Sequence, residues 1–172
     1  MVSYERMNER ICPLQQYIND PRRYHWSKCR NRKSNNCGRS KEKLEAVKTE
    51  LGNVEIGICD ISSLSSMDKF IKSIGPIDIL VNNAGINLWG SGYQIGELNQ
   101  ELTFQTNHLG TMYLSIKLME HKKLNDNATI VVVSSDLHTK GVDDLEFYEK
   151  QNEKNFDGMA TYSQSKLFNL EW

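Results

Sequence analysis

The sequence predicts an α/β fold in which a doubly wound parallel sheet lies between helices, as three α/β/α layers. Two observations predict it. Short runs rich in β-branched residues, such as 77–81 and 128–133, are apolar on both faces. Segments with helical periodicity separate these runs. Strands that are buried on both faces and alternate with helices are typical of a parallel sheet with helices on either side.

The predicted elements become regular after Ser40, which is suited to cap a first helix that Gly52 would end. A short β-branched strand at 54–61 follows. Ser65 and Asp68 have the spacing of a capping box for a second helix. The apolar positions of the two helices recur at helical spacing: Leu44, Val47 and Leu51 in the first, and Met67, Phe70, Ile71 and Ile74 in the second.

The second half of the chain continues the alternation. Gly75 and Pro76 end the second helix, and a strand at 77–81 follows. A long helix is predicted over 99–121, a third strand over 128–133, and a last helix from Ala160. The apolar stripe of the long helix comprises Leu102, Leu109, Met112, Ile116 and Met119.

Composition bounds the function. The chain has 172 residues with 21 basic and 22 acidic side chains, which is enough for one domain with a core. This charge balance disfavours a surface adapted to nucleic acid or acidic lipid. No apolar stretch is long enough to span a membrane, and the first ten residues are too charged for a signal peptide. The four cysteines lack zinc-type spacing, so we expect reduced thiols and a cytoplasmic location.

The first 39 residues differ from the rest. Residues 22–43 contain nine basic side chains and one acidic one, and no strand or helix period is clear before Ser40. We therefore predict a basic N-terminal segment at 1–39 and a partial dinucleotide-binding domain at 40–172. A solvated basic tail is the favoured interpretation of the block; a nucleic-acid arm would show salt-dependent affinity.

Polar residues follow the predicted strands at their carboxyl ends, where ligands bind in open parallel sheets. They are Asp60, the turn Asn82-Asn83-Ala84-Gly85, and the pair Ser134-Ser135. Each also has a structural interpretation: the turn residues tolerate positive φ, and the serines are suited to cap the segment after their strand. Asn107, among apolar residues of the long helix, is equally suited to hold a backbone kink beside Gly110.

Tyr162 and Lys166 lie one helical turn apart, so the ammonium is expected to favour the phenolate and lower the pKa of the tyrosine. Such a phenol is suited to acid/base chemistry. The spacing alone is weak evidence, since Tyr24/Lys28 and Tyr113/Lys117 share it, and a surface helix pair is the alternative for each.

In order and placement, these residues together resemble the short-chain dehydrogenase/reductase family: Asp60, the Asn82–Gly85 turn, Asn107, Ser135 and Tyr162-x-x-x-Lys166. The stretch 104–110 and the long gap between Ser135 and Tyr162 are most similar to its retinol-dehydrogenase-like branch. The resemblance covers residues 40–172 and implies a Rossmann-like sheet.

The resemblance implies a hydride exchange between NADP(H) or NAD(H) and a small-molecule alcohol or carbonyl substrate. Tyr162 would be the general acid/base, and Lys166 would lower its pKa and bind the nicotinamide ribose. Ser135 would hold the substrate oxygen, and Asn107 would maintain a water-linked proton path to Lys166. A homo-oligomer is left open.

The cofactor would also contact residues at the strand ends. Asp60 would contact the adenine, and Asn82, Ala84 and Gly85 would line the cofactor cleft. If Arg30 follows a strand, its charge would suit the 2′-phosphate of NADP, which is the preferred of the two cofactors.

The sequence departs from the family at both ends. The family opens with a strand and a TGxxxGxG turn, whereas the first glycine here is Gly38. The chain ends six residues after Lys166, before the family's last strands. We therefore expect a truncated member whose incomplete sheet leaves two strands with unpaired edges. A catalytically inactive fragment, or a module that binds another protein, is the alternative function.

Overall fold

The computed structural model describes residues 34–52, 54–144 and 146–172. It divides into two compact units, one ending at Asp60 and the other beginning at Ile61. The predicted domain boundary at 39/40 stays a prediction. Several predictions fall outside the described residues, namely those on Cys12, Cys29, Arg30, the Tyr24/Lys28 pair and the basic block up to Lys33.

The described residues of the first unit form two parallel strands and a helix: β1 (Ser34–Gly38), α1 (Lys41–Leu51) and β2 (Val54–Ile58). The Ser40 hydroxyl accepts a hydrogen bond from the Lys43 amide at 3.3 Å, and Gly52 ends the helix with a φ of 76°. Both helix signals in the sequence are therefore confirmed. A side chain at Gly52 would be strained by that positive φ.

Strand β1 is an element that the sequence did not indicate, since no strand period is clear before Ser40. Its sequence, Ser-Asn-Asn-Cys-Gly, has low β-propensity. The strand forms nevertheless, because pairing in register with β2, from Ser34↔Val54 to Gly38↔Ile58, satisfies its backbone groups. Tertiary pairing outweighs local propensity at this position.

The second unit has a parallel pair of strands and several helices. Strand β3 pairs with β4 in parallel, with one register shift between Ile77 and Ile79. In chain order the elements are α2 (Leu64–Ser73), β3 (Ile77–Asn82), α3 (Leu102–Phe104), a π-helical turn (Gln105–Leu109), α4 (Gly110–Glu120), β4 (Leu124–Val132), a 3₁₀ helix (Asp136–Lys140) and α5 (Gly158–Glu171).

The core of this unit lies where α2 packs against α4. Met67 and Ile71 of α2 and Leu118 of α4 are fully buried. Each such side chain stabilises the fold by about 1.5–3 kcal/mol relative to an exposed position. The predicted inner face of α2 is confirmed at Met67, Phe70 and Ile71.

The predicted stripe of the long helix is wrong in its second half. Ile116 and Met119 are 39% and 51% exposed, whereas Leu114 and Leu118 are buried. The π-helical turn explains the difference, because it places one extra residue in a turn and rotates the following face relative to an ideal α-helix. The helix also begins at Leu102 rather than Asn99, whose φ is 57°.

The capping box predicted at Ser65 and Asp68 is also wrong. Helix α2 begins two residues earlier, with Ser63 at the cap position and, among the described residues, without a side-chain cap hydrogen bond. The Leu64 amide instead donates to the Glu97 carboxylate. Asp68 accepts a hydrogen bond from the Tyr113 hydroxyl at 2.8 Å, so its carboxylate serves tertiary packing.

The described strands therefore form two parallel pairs, β1–β2 and β3–β4, accompanied by helices. The α/β class and the incomplete parallel sheet are confirmed. Within the described ranges, no helix combines the length and apolar character needed to cross a bilayer.

Candidate active site

Helix α5 carries Tyr162 and Lys166, and its start is fixed by two features. Asp157 caps the helix by accepting hydrogen bonds from the amides of Met159 at 2.8 Å and Ala160 at 3.1 Å. Gly158 allows the helix to approach a neighbouring loop, since a Cβ there would lie 3.0 Å from the Leu88 carbonyl oxygen. The loop and the helix that carries the phenol are therefore held together.

Replacing Asp157 by alanine should lower the free energy of unfolding by about 1 kcal/mol, because two amides of the first turn lose their acceptor. Urea denaturation measures the change. Ser63→Ala is the matched control: within the described part of the chain, Ser63 occupies the cap position of α2 but makes no side-chain cap hydrogen bond. An effect of Asp157→Ala no larger than that of Ser63→Ala would contradict the role of the cap.

Lys166 is a buried cation beside Tyr162. Its side chain is 4% exposed, and its Nζ lies 5.6 Å from the centroid of the Tyr162 ring. The ammonium donates a hydrogen bond to the Val133 carbonyl at 3.2 Å. Burial lowers the pKa of Lys166, because a charge is costly to desolvate.

The sequence predicted a lowered pKa for Tyr162, but in the structure this pKa is raised. Burial is the main cause, and the negative charge of Asp136 adds to it. A hydrogen bond between the Ser135 and Tyr162 side chains opposes both by favouring the phenolate. In this structure Tyr162 is therefore a neutral phenol at neutral pH, and it has a proton to donate.

The pair Tyr113/Lys117 has the same spacing as Tyr162/Lys166 but lies on a helix surface, away from the candidate active site. Lys117 lies 5.7 Å from the Tyr113 ring, almost the separation of the other pair. However, Lys117 is ion-paired with Glu120 at 2.7 Å, and the Tyr113 hydroxyl donates to Asp68. This tyrosine is held by a carboxylate on a helix surface, so the alternative interpretation of the spacing applies to it.

Ser135 has the capping role considered for it, and its role at the substrate oxygen stays a prediction. Its hydroxyl accepts the Leu137 amide at 3.2 Å and so caps the 3₁₀ helix. The same hydroxyl donates its proton to the Asp136 carboxylate at 3.0 Å, and it lies near enough to Tyr162 to lower the pKa of that phenol. Ser134 instead donates to the Lys166 carbonyl at 2.6 Å, which attaches α5 to the end of β4. Of the two serines, Ser135 is thus the one that affects the pKa of the phenol.

Asn107 lies in the π-helical turn and is fully buried. Its side-chain oxygen accepts the Ile86 amide at 2.7 Å, and its nitrogen donates to the Ile86 carbonyl at 2.9 Å and to Ser165 at 3.0 Å. The amide is therefore satisfied, as in the structural interpretation, and it fixes the backbone that follows Gly85. Its predicted place in a proton path stays a prediction.

The turn after β3 approaches the same cluster. A Cβ on Gly85 would lie 3.1 Å from the Asn107 side-chain oxygen and 3.6 Å from Lys166 Nζ. Asn82 has a different environment, because its amide donates to Ser115 at 2.8 Å and is buried against α4. The roles predicted for Asn82, Ala84 and Gly85 at a cofactor, and for Asp60 in the first unit, stay predictions.

Trp89 is a site residue that the sequence did not indicate. Its ring meets the Tyr162 ring edge-to-face, with centroids 6.1 Å apart and an interplanar angle of 78°. Trp89 lies in an irregular loop, so no periodic pattern could have indicated the contact. The glycines that follow it, Gly90 and Gly92, both have a φ of 74° and were the available sign of a constrained loop.

The cluster fits one end of a dinucleotide. An ammonium has three hydrogen-bond donors, and one of those of Lys166 is used by Val133 among the described residues. A buried cation with remaining donors suits the hydroxyls of a ribose. Gly85, without a side chain, keeps the space beside Nζ free for such a group.

The lowered pKa of Lys166 predicts a pH dependence of stability. Between that lowered pKa and the ordinary value of about 10.4, the unfolded chain binds more protons than the folded chain does. The contribution of Lys166 to the free energy of unfolding therefore increases as pH rises through this window. Lys166→Met removes this contribution. The free energy of unfolding of the wild type should therefore increase relative to that of Lys166→Met as pH rises through that window.

Urea denaturation at several pH values measures that difference. Lys117→Met is the control with the opposite sign, because hydrogen bonding to Glu120 raises the pKa of Lys117. Parallel stability curves for the wild type and Lys166→Met would show that the ammonium is not desolvated in the folded protein.

Comparison with known proteins shows what the chain is similar to. A family model described as short chain dehydrogenase matches residues 31–149, a range that ends before Tyr162. Human retinol dehydrogenase 14 is 33% identical over 124 residues, which are 70% of this chain and 36% of that protein. The SDR family member FEY of Arabidopsis thaliana is 30% identical over 120 residues, 67% of this chain and 32% of that protein.

Among solved structures, an uncharacterised protein of Mycobacterium paratuberculosis superposes with a TM-score of 0.68 and 28% identity, over 81% of this chain and 59% of that one. Serine dehydrogenase complexed with NADP⁺ has a TM-score of 0.58 and 23% identity, over 80% of this chain and 52% of that one, and shows the fold alone.

This chain spans about a third of the length of the curated relatives named above. A retinol dehydrogenase is among them, which confirms the resemblance to that branch. Because the family model matches well over half of its residues, the chain belongs to the short chain dehydrogenase family.

Proposed function

We propose that the protein is an oxidoreductase that transfers a hydride between a nicotinamide cofactor and an alcohol or carbonyl substrate. The observation that carries the proposal is the arrangement around Tyr162, whose ring has the buried Lys166 ammonium beside it, 5.6 Å from its centroid. The Ser135 hydroxyl, which lowers the pKa of the phenol, is the second polar group there. The nicotinamide, when bound, supplies the hydride chemistry.

Tyr162 would act as the general acid in the direction of carbonyl reduction. Its raised pKa keeps the proton on the phenol at neutral pH, where it is available to a substrate oxygen. Ser135, whose hydroxyl donates to the Asp136 carboxylate in this structure, would turn that proton to the substrate oxygen and hold it in place. In the reverse direction, the phenolate would accept the proton of an alcohol.

Lys166 would stabilise the phenolate that remains after the proton has left. Its ammonium lies 5.6 Å from the ring centroid and is shielded from water, so its charge is weakly screened. Its remaining donors would bind the nicotinamide ribose. Asn107 would support this arrangement through its hydrogen bonds to Ile86 and Ser165.

For the cofactor we favour NADP over NAD. In the first unit, Arg39 is exposed and directly follows β1, just before the cap of α1. A cation after a strand and before a helix suits the 2′-phosphate of NADP. The similar prediction for Arg30 lies outside the described residues. Asp60, which follows β2, would contact the adenine, and Ala84 and Gly85 would line the cleft.

Thermal melting of the full chain with NADPH and NADH tests the proposal. A bound cofactor should stabilise the fold by about 2.7 kcal/mol at a concentration a hundredfold above its Kd. Lys166→Met should remove most of this stabilisation, whereas Lys117→Met, at the pair on the helix surface, should not. Arg39→Gln should reduce the stabilisation by NADPH more than that by NADH.

A melting transition that neither cofactor shifts would contradict the proposal and favour a fragment without catalytic activity. Equal losses in the two lysine variants would show that general positive charge, rather than the buried ammonium, accounts for binding.

A further inference from the structure

We propose that Trp89 is a specificity-determining residue that favours substrates with an aryl group on the reacting carbon. The inference rests on the proposed function, since it requires the substrate oxygen to lie at the Tyr162 hydroxyl. It comes from a contact between two rings: the indole meets the phenol edge-to-face at 6.1 Å while 47% of the Trp89 surface stays exposed.

The exposed part of Trp89 is held in position by its loop. The Ser91 amide donates to the Leu88 carbonyl at 3.0 Å, which closes a turn around the tryptophan. On the other side, Gly158 packs so closely that a Cβ would lie 3.2 Å from the Trp89 backbone nitrogen. The indole is therefore placed beside the phenol by backbone contacts from both directions.

Position and chemistry together indicate what the indole contacts. A substrate whose oxygen is hydrogen-bonded to Tyr162 and Ser135 has its carbon substituents next to that phenol. An exposed indole there offers a wide, flat and apolar surface. Aromatic rings gain energy from offset-stacked or edge-to-face packing beyond what area burial provides, whereas saturated rings of equal size gain burial alone.

Ligand-observed NMR titration of the full chain with acetophenone and with cyclohexyl methyl ketone tests this inference, with NADP⁺ present so that neither ketone is consumed. The wild type should bind acetophenone roughly two- to tenfold more tightly than the saturated ketone. Trp89→Leu, which keeps apolar bulk, should remove this preference, and Trp89→Phe should retain it.

Trp172→Leu is the matched control. Trp172 is also partly exposed, at 40%, but it lies ten residues beyond Tyr162 at the other end of α5, roughly 15 Å along the helix axis. This variant should bind both ketones as the wild type does. Such a result would show that the loss in Trp89→Leu is local.

Two outcomes would overturn the inference: equal binding of the two ketones by the wild type, or a preference that survives in Trp89→Leu. Failure of the proposed function is separately visible. If NADPH is not oxidised while the aryl preference still depends on Trp89, the inference about the binding surface stands and the catalytic proposal falls.

Discussion

Replacing Tyr162 by phenylalanine should lower kcat for carbonyl reduction by roughly 10²- to 10⁴-fold, because the proton donor is removed from the reacting oxygen. The change deletes one oxygen atom and leaves the ring, so the packing against Trp89 and Lys166 is retained. Binding of the dinucleotide should therefore be unchanged. The oxidation of NADPH, followed by absorbance, measures kcat and KM for each variant.

Tyr113→Phe is the matched control for this variant. Tyr113 has a lysine at the same spacing, but its hydroxyl donates to Asp68 in the contact between α2 and α4. Losing that hydrogen bond should affect stability by about 1 kcal/mol and leave kcat unchanged. A Tyr162→Phe protein with the kcat of the wild type would remove Tyr162 from the chemistry.

Replacing Gly110 by alanine should be the most destabilising small substitution in the second unit. Gly110 is the first residue of α4, and a Cβ there would overlap the Ile61 carbonyl oxygen and lie 3.2 Å from that of Gln105. Both neighbours are backbone atoms and cannot rotate away. Overpacking of this kind costs about 1–3 kcal/mol, and we expect the upper end.

Gly75→Ala is the control, because no atom of the described residues lies within 4 Å of a Cβ at that position and its φ is not positive. Its free energy of unfolding should stay within about 1 kcal/mol of the wild type. Urea denaturation compares the two variants. Equal stability of Gly110→Ala and Gly75→Ala would show that α4 does not pack as closely as the structure has it.

Local signals predicted much of the fold, because the interactions that define those elements are themselves local. The cap at Ser40 and the stop at Gly52 are interactions within one helix, so residue type and spacing were sufficient. The buried face of α2 followed from its 3.6-residue period. The parallel pairing of the strands followed from their apolar character on both faces.

The errors occurred where a distant residue decides the local structure. Strand β1 depends on β2 for its hydrogen bonds, and Glu97 takes over the first amide of α2 that a local cap would have satisfied. The π-helical turn around Asn107 forms where its amide holds the Ile86 backbone. None of these partners is close in sequence.

The sequence was sufficient to name the residues of the candidate site, but it could not predict their burial or the direction of their pKa shifts. Three tyrosines share the spacing to a lysine, and Tyr162 differs from Tyr113 in the burial of its lysine, Lys166, and in its hydrogen bond with Ser135. Burial also reversed the expected direction of the Tyr162 pKa shift, because desolvation of the phenolate, to which the negative charge of Asp136 adds, outweighs the opposing effect of Ser135.

The central claim is that this chain transfers a hydride through the site built around Tyr162. The most direct test incubates the full chain with NADPH that carries deuterium at both positions of C4 of the nicotinamide and with an aryl ketone, and then locates the label by mass spectrometry and NMR. We predict one deuterium on the carbinol carbon of the alcohol, and none with Tyr162→Phe. Binding of the cofactor without any labelled alcohol would contradict the claim.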